Sequence, residues 1–326
     1  MRLDASDQHV VERAAAALAS GELVAFPTET VYGLGARADD DAAVTKVFEA
    51  KGRPADHPLI VHVADAEGGR TFAAQVPPVA VRLVAAFWPG PLTIIVPRAA
   101  GVGTAAAGGQ ATIGLRCPSH PVARSLLQAA RQAGVPGIAA PSANRFGRLS
   151  PTTAEHVVAE FGDSLMVLDG GACEVGIEST IVDCSRGHPV LLRPGVLTRA
   201  QIEAAAGEPL RDPDAAAPRA SGTLEAHYAP RAPLRLMPTP QLHTALQLLG
   251  PAPLRLAVYS RPLPVGTGSG VRHRVMPERA AEAAHELFSV LRAFDDEGVQ
   301  LIWVEEPPST PDWEGVRDRL RRAAAS

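Results

Sequence analysis

Two cations stand one glycine apart in Lys51-Gly-Arg53-Pro-Ala-Asp-His57-Pro-Leu59. Glycine and proline restrict the backbone on either side of Arg53, so both charges can be aimed at one oxyanion instead of ranging through solvent. A solvated basic loop is the plain alternative for this segment alone. Of the chain's 31 lysines and arginines only Lys46 and Lys51 are lysines. A lysine retained in so arginine-biased a chain hints that an ammonium is wanted there, because the two side chains differ in hydration and geometry. Lys46 reads as a surface residue.

Further polar groups recur where strands are expected to end. Arg116 closes Thr112-Ile-Gly-Leu-Arg116 and precedes Cys117-Pro118. It suits a bidentate carboxylate clamp, or equally a structural ion pair. Arg193 repeats the pattern in Leu-Leu-Arg193-Pro-Gly195. The run Phe26-Pro-Thr-Glu-Thr30-Val-Tyr-Gly-Leu-Gly35 packs hydroxyls and a carboxylate together before two glycines. Ala140-Pro-Ser142-Ala-Asn144-Arg-Phe-Gly147, with Ser150-Pro-Thr152, is another polar loop whose small side chains let a ligand approach the backbone. Ser179 and Thr180 open a further strand. The net charge is -4, so this local concentration of cations points to a polyphosphate or carboxylate ligand and not to a general nucleic-acid field.

Several chemistries lack their signatures. No G-x-x-x-x-G-K-[ST] loop is present. Gly101-Val-Gly103-Thr-Ala-Ala106 fits a dinucleotide fingerprint, but Gly108-Gly109-Gln110 follows it in place of an amphipathic helix. Gly266-Thr-Gly-Ser-Gly270 reads as a loop. Cys117, Cys173 and Cys184 have no zinc or C-x-x-C spacing, and no Cys-His or Ser-His-Asp set or metal cluster stands out. The N-terminus lacks the order of a signal peptide, and prolines interrupt the most apolar region. A cytoplasmic protein with reduced thiols and no membrane span is expected.

The elements that must position these groups follow from periodicity. Helices are expected from a cap at Ser6 to about Ala19, and over 42–50, 79–87, 121–132 and 153–161 (capped by Thr152). Strands are expected over 23–26, 59–63, 92–96, 112–116, 138–140, 166–169, 179–183 and 190–193. Their irregular alternation predicts a mixed α/β sheet. Residues 204–233 are rich in Ala, Pro and Asp and read as a linker. A second unit over 234–326 carries strands 254–259, 271–275 and 299–303 with helices 278–294 and 313–323.

The stretches PTETVYGLG, KGRPADHPLIVHV, WPGPLTIIV, IGLRCPSHP, PSANRFGRLSPT, ESTIVD, LLRPG and HYAP, in this order, resemble the YrdC-like threonylcarbamoyl-AMP synthase family in its long two-domain form. The resemblance implies a catalytic domain over 1–203, a linker or lid over 204–233 and a smaller Rossmann-like α/β domain over 234–326. It implies a twisted mixed sheet with helices around a concave basic cavity in the first. The implied reaction joins L-threonine, bicarbonate and ATP, with Mg2+ expected, to give L-threonylcarbamoyl-AMP and pyrophosphate. Downstream transfer proteins would then carry the group to tRNA, with no stable nucleic-acid binding by this chain. By matching motifs, Thr30, His62, Arg116, Ala140 and Thr180 would hold threonine. Arg53, His57, Thr112, Ser142, Asn144, Ser150 and Arg193 would hold ATP, with Lys51 at the phosphates or the carbamate and Tyr228 closing over the site. The carbamate is unstable in water, so a lid is expected around His227-Tyr228. Deleting residues from Ala204 onward is expected to abolish synthesis. Phe146 and Ala220-Ser-Gly222 depart from the family pattern, where a serine and a Pro-Gly are common. The competing readings are a non-catalytic binder of tRNA or double-stranded RNA and a carbamoyltransferase module, whose usual zinc-finger and acylphosphatase-like segments are not found.

Overall fold

The computed structural model describes residues 1–249, 255–262 and 271–326. The chain folds as two units, one formed by residues 1–146 and 150–223, the other by 147–149 and 224–326.

The first unit begins with strand β1 (Arg2–Asp4), helix α1 (Gln8–Ala19) and the hairpin β2 (Val24–Phe26) to β3 (Gly33–Arg37). Helix α2 (Asp41–Lys51), β4 (Ile60–His62), the single turn α3 (Ala66–Gly69) and α4 (Pro78–Phe87) follow. Next come β5 (Leu92–Pro97), β6 (Thr112–Arg116), α5 (Pro121–Gln132), β7 (Ile138–Ala139) and α6 (Ala154–Phe161). Strands β8 (Met166–Asp169), β9 (Thr180–Asp183) and β10 (Val190–Arg193) and helix α7 (Arg199–Ala206) complete it. The strands form one mixed sheet in the order β1-β8-β2-β3-β7-β4-β6-β5-β9-β10.

Alternation along the central strands sorts their side chains onto two faces. Leu59, Val61, Leu92, Ile94, Val96 and Val182 join the main core with Val44 and Val47 of α2 and Leu83 of α4. Ile60, Ile95 and Ile181 face the other way, where they form a small cluster with Val190 and Leu192 of β10. A further cluster packs Val11 and Leu18 of α1 against Leu126 and Leu127 of α5.

The second unit carries β11 (Leu234–Met237), α8 (Thr239–Leu248), β12 (Leu256–Ser260), β13 (Arg272–Val275), α9 (Ala280–Asp296), β14 (Leu301–Glu305) and α10 (Glu314–Ala324). Its described strands are all parallel, in the order β11-β14-β12-β13. Leu242 and Leu246 of α8 pack on Leu256, Val258 and Trp303.

Local chemistry moves several expected boundaries. Asp7, not Ser6, caps α1 by accepting His9 N–H, and Thr153, not Thr152, caps α6 by accepting His156 N–H. Gly33 to Arg37, read as part of a turn, is strand β3, because its glycines fit against neighbouring strands. Residues 204–233 are not one linker. Helix α7, closed at its start by a Thr198–Gln201 capping box, runs through position 204. Residues up to 223 belong to the first unit, and those from 224 belong to the second. The Gly266–Gly270 loop, and Leu254 of the expected strand, lie outside the described residues.

A Cβ on Gly35 would stand 2.7 Å from Ile138 Cγ2 and 2.9 Å from Phe26 Cε1. Gly35→Ala is therefore expected to lower stability by about 1–3 kcal/mol through overpacking, read as a lower urea midpoint at unchanged slope.

Candidate functional site

One row of paired residues crosses five adjacent strands of the first unit. His62 of β4 lies opposite Arg116 of β6, and Arg116 opposite Thr93 of β5. Thr93 lies opposite Ile181 of β9, and Ile181 opposite Arg193 of β10. Above Gly114 the same face carries a narrow cleft of about 10 Å³, lined by Ile60, Ile95, Ile181, Thr112 and residues 219–221. The sheet thus supplies an apolar floor with cations around it.

Each expected phosphate cation is buried and aimed by backbone carbonyls. Lys51 ends α2, where Gly52 in the left-handed region (φ 63°) stops the helix. Its Nζ donates to Ser142 O at 2.5 Å and to Asn144 O. Phe146 N–H returns a bond to Lys51 O, so the end of α2 and the 142–146 loop are tied together. Burial, with the nearby Arg53 charge, pulls the Lys51 ammonium well below its ordinary pKa. Arg53 donates to Pro58 O at 3.0 Å and lies 5.6 Å over the Phe146 ring. Arg193 donates to Ser179 O through Nε and Nη2 at 3.0 and 2.9 Å. Ser221 touches both arginines: its Oγ accepts from Arg53 at 3.4 Å and its carbonyl from Arg193 at 2.9 Å.

The remaining ATP-side residues arrange around these. His57 meets Phe146 edge-on at 5.4 Å, and burial followed by the Arg53 charge lowers its pKa. Ser142 pairs with Gly33 through an isolated bridge, and Asn144 is buried with its amide donating to Arg145 O. Ser150 Oγ donates to Glu178 Oε1.

The expected threonine residues form a second group. Arg116 Nη2 stands 2.7 Å from Glu29 Oε1, with both side chains almost wholly buried. Glu29 Oε2 also accepts Ser119 N–H. Thr30 Oγ1 lies 2.8 Å from Thr28 Oγ1, and Thr28 Oγ1 closes the turn by donating to Val31 O. Ala140 N–H bonds Ile60 O, fixing the loop beside β4. His62 Nδ1, Thr180 Oγ1, Glu29 Oε1 and Arg116 Nη2 are buried without a directed hydrogen bond. Glu29 and Arg116 are nonetheless in ion-pair contact, close in distance but poorly aligned. Buried polar atoms are almost always satisfied, so His62 Nδ1 and Thr180 Oγ1 beside this ion pair are the two atoms of the group able to take a polar ligand.

Tyr228 belongs to the second unit, where its ring packs 5.5 Å from Phe288 and 5.3 Å from Arg319. Sequence reasoning passed over Glu29, Glu178 and Ser221. Glu29 stood in view inside the Thr-Glu-Thr run, yet nothing in its spacing pointed to Arg116.

A family profile described as "Telomere recombination" and covering the Sua5, YciO and YrdC proteins matches residues 16–195. A second, described as "Threonylcarbamoyl-AMP synthase, C-terminal domain", matches residues 197–325. The threonylcarbamoyl-AMP synthase of Bacillus subtilis is 39% identical over 96% of this chain and 92% of its own length. The chain belongs to the threonylcarbamoyl-AMP synthase family. The synthase of Pyrococcus abyssi is likewise 39% identical, over 95% of this chain and 93% of its own. The crystal structure of P. abyssi Sua5 complexed with L-threonine superposes with a TM-score of 0.88 at 36% identity, covering 98% of this chain and 95% of that one. The chain is accordingly an enzyme of the nucleotidyltransferase type, from a family that uses ATP as substrate. Among the described residues no helix is long and apolar enough to cross a membrane.

Two outcomes are expected from the buried bases. Burial, with the Arg116 charge adding to it, brings His62 from 6.5 down to about 3. The folded protein thus refuses a proton that the unfolded chain accepts. The His62 contribution is complete above pH 6.5 and is lost as pH falls toward about 3, on the order of 5 kcal/mol in all. His62→Gln is expected to flatten the acid limb of a urea-midpoint-against-pH curve. Lys51→Arg puts a larger planar fork where a compact ammonium meets two carbonyls. Turnover is expected to fall with the fold intact; unchanged turnover would make the retained lysine incidental.

Proposed function

We propose that this site makes L-threonylcarbamoyl-AMP and pyrophosphate from L-threonine, bicarbonate and ATP, as the source of the threonylcarbamoyl group in tRNA threonylcarbamoyladenosine. The observation that carries this reading is the division of one buried surface into two sets. Arg53, Arg193 and Lys51 are held by carbonyl oxygens, whereas the second set combines the Arg116–Glu29 ion pair and Thr30 with His62 Nδ1 and Thr180 Oγ1, which lack directed bonds.

In this reading Arg116 receives the threonine carboxylate, with Thr30, His62, the backbone at Ala140 and Thr180 around the rest of the molecule. Neutral His62 supplies a hydrogen bond without another positive charge. The triphosphate lies across Arg53 and Arg193, the nucleoside stands over the apolar floor near Thr112 and His57, and Ser142, Asn144 and Ser150 border the phosphates. Lys51 serves the centre where the carbamate oxygen attacks the α-phosphorus and pyrophosphate leaves. Charge placement and alignment perform most of such a reaction. Mg2+ is expected to arrive with ATP as part of the substrate.

Ser221 rests on both phosphate arginines, so the 204–223 segment has to yield as the triphosphate enters. In this reading the first moving part belongs to the first unit, and Tyr228 closes over ATP after it. Deletion from Ala204 onward would cut α7 and remove part of the first unit. A cut after Thr223 is the cleaner test of the second unit's role. The product passes to separate transfer proteins in the cytoplasm, with no stable contact between this chain and tRNA.

Mixing the protein with ATP, L-threonine and bicarbonate is expected to release pyrophosphate only when all three are present. Arg193→Ala is expected to lower kcat/KM for ATP by about 100-fold. Release independent of threonine rejects the synthase reading, and retention of labelled tRNA with no release favours the binder.

A further inference from the structure

Glu29 brings a negative charge to the group of residues read here as the threonine subsite. Its carboxylate is buried, stands 2.7 Å from Arg116 and accepts Ser119 N–H. The segment carrying it is fixed on both sides. Thr28 Oγ1 donates to Val31 O, and Glu29 O accepts Val175 N–H at 2.7 Å. A carboxylate so held has little freedom to swing away from the guanidinium. Two contacts also leave part of its acceptor capacity unused, and Oε1 makes no directed hydrogen bond.

Lys51 and Arg193 donate to carbonyl oxygens, which fix their direction. Arg116 meets a full negative charge. We propose that Glu29 is a specificity-determining residue that cancels the Arg116 charge, so that the subsite admits an amino acid as a zwitterion and disfavours a plain carboxylate. An anion without an ammonium would face Glu29 uncompensated. A zwitterion presents its carboxylate to Arg116 and its ammonium to the field of Glu29. Neutral His62 leaves this balance undisturbed. The same pair orients Arg116, whose Nε otherwise reaches only Gly90 O at 3.4 Å. This inference rests on the threonine-subsite reading above.

The test is binding of L-threonine, of 3-hydroxybutyrate (threonine's carbon skeleton without the ammonium) and of ATP to the full-length protein by calorimetry. Glu29→Gln keeps the shape and an acceptor for Ser119 N–H. It is expected to weaken threonine roughly tenfold to a hundredfold, the usual range for loss of a charged partner. It should strengthen 3-hydroxybutyrate and leave ATP unchanged. Glu29→Asp should restore the wild-type preference. Unchanged preference in Glu29→Gln overturns the proposal. So does parallel loss of threonine and ATP binding, which would assign Glu29 to the fold alone. Failure of the wild-type protein to bind threonine would instead sink the subsite reading, so the two failures are separable.

Discussion

The constraint on which this structure turns is the cost of burying positive charge. Lys51, Arg53, Arg116 and Arg193 are each no more than 7% exposed. An uncompensated ion in a low-dielectric interior costs several kcal/mol, so each must be met by fixed partners. Meeting them dictates much of the local architecture. The 142–146 loop folds back onto the end of α2 because Lys51 needs its carbonyls, and Phe146 N–H and Arg145 Nη1 reach the last carbonyls of that helix in return. Ser179 must end its loop where Arg193 can reach its oxygen from the neighbouring strand. Glycine serves the same end at position 195, where a Cβ would stand 2.6 Å from Thr180 N and Oγ1.

How much of this was legible in the sequence follows from the range of the interactions. Strand β6 and helix α5 could be read at their observed bounds, because alternation, a proline at the helix start and the apolar stripe are all local signals. Caps slipped by one residue at Ser6 and Thr152, where an adjacent Asp or Thr competes for the same N–H groups. Strand β3 was hidden by its glycines. They are needed because Phe26 and Ile138 press against Gly35 from β2 and the adjoining β7, contacts set by tertiary packing. The cations of the site announced themselves through glycine and proline neighbours. Their compensating groups did not. Glu29 meets Arg116 from a distant part of the sequence, and Ser221 comes from a stretch whose composition suggested only a tether.

The second unit shows the same economy with different parts. Glu305, 2% exposed at the end of β14, accepts from Arg261 and Thr239, joining the ends of three parallel strands. Tyr228 adopts a positive φ of 62°, a conformation that costs a non-glycine residue about 1–3 kcal/mol. Packing on Phe288 and the Arg319 guanidinium offsets that cost and holds the ring in one orientation.

The chemistry available to the site is narrowed by the same burial. Burial pushes the Cys173 thiol up to about 12 and the Cys184 thiol higher still, so neither supplies a thiolate nucleophile near neutral pH. His62, held near 3, takes no proton in that range. The groups that remain act by position and charge: arginines aimed by carbonyls, a lysine whose ammonium is weakened by its surroundings, and a carboxylate that balances Arg116. Carbamate formation and adenylation need an amine, a phosphorus and a leaving pyrophosphate brought into line while water is kept out. A surface whose cations are fixed before substrate arrives meets that need without reorganising at the moment of reaction.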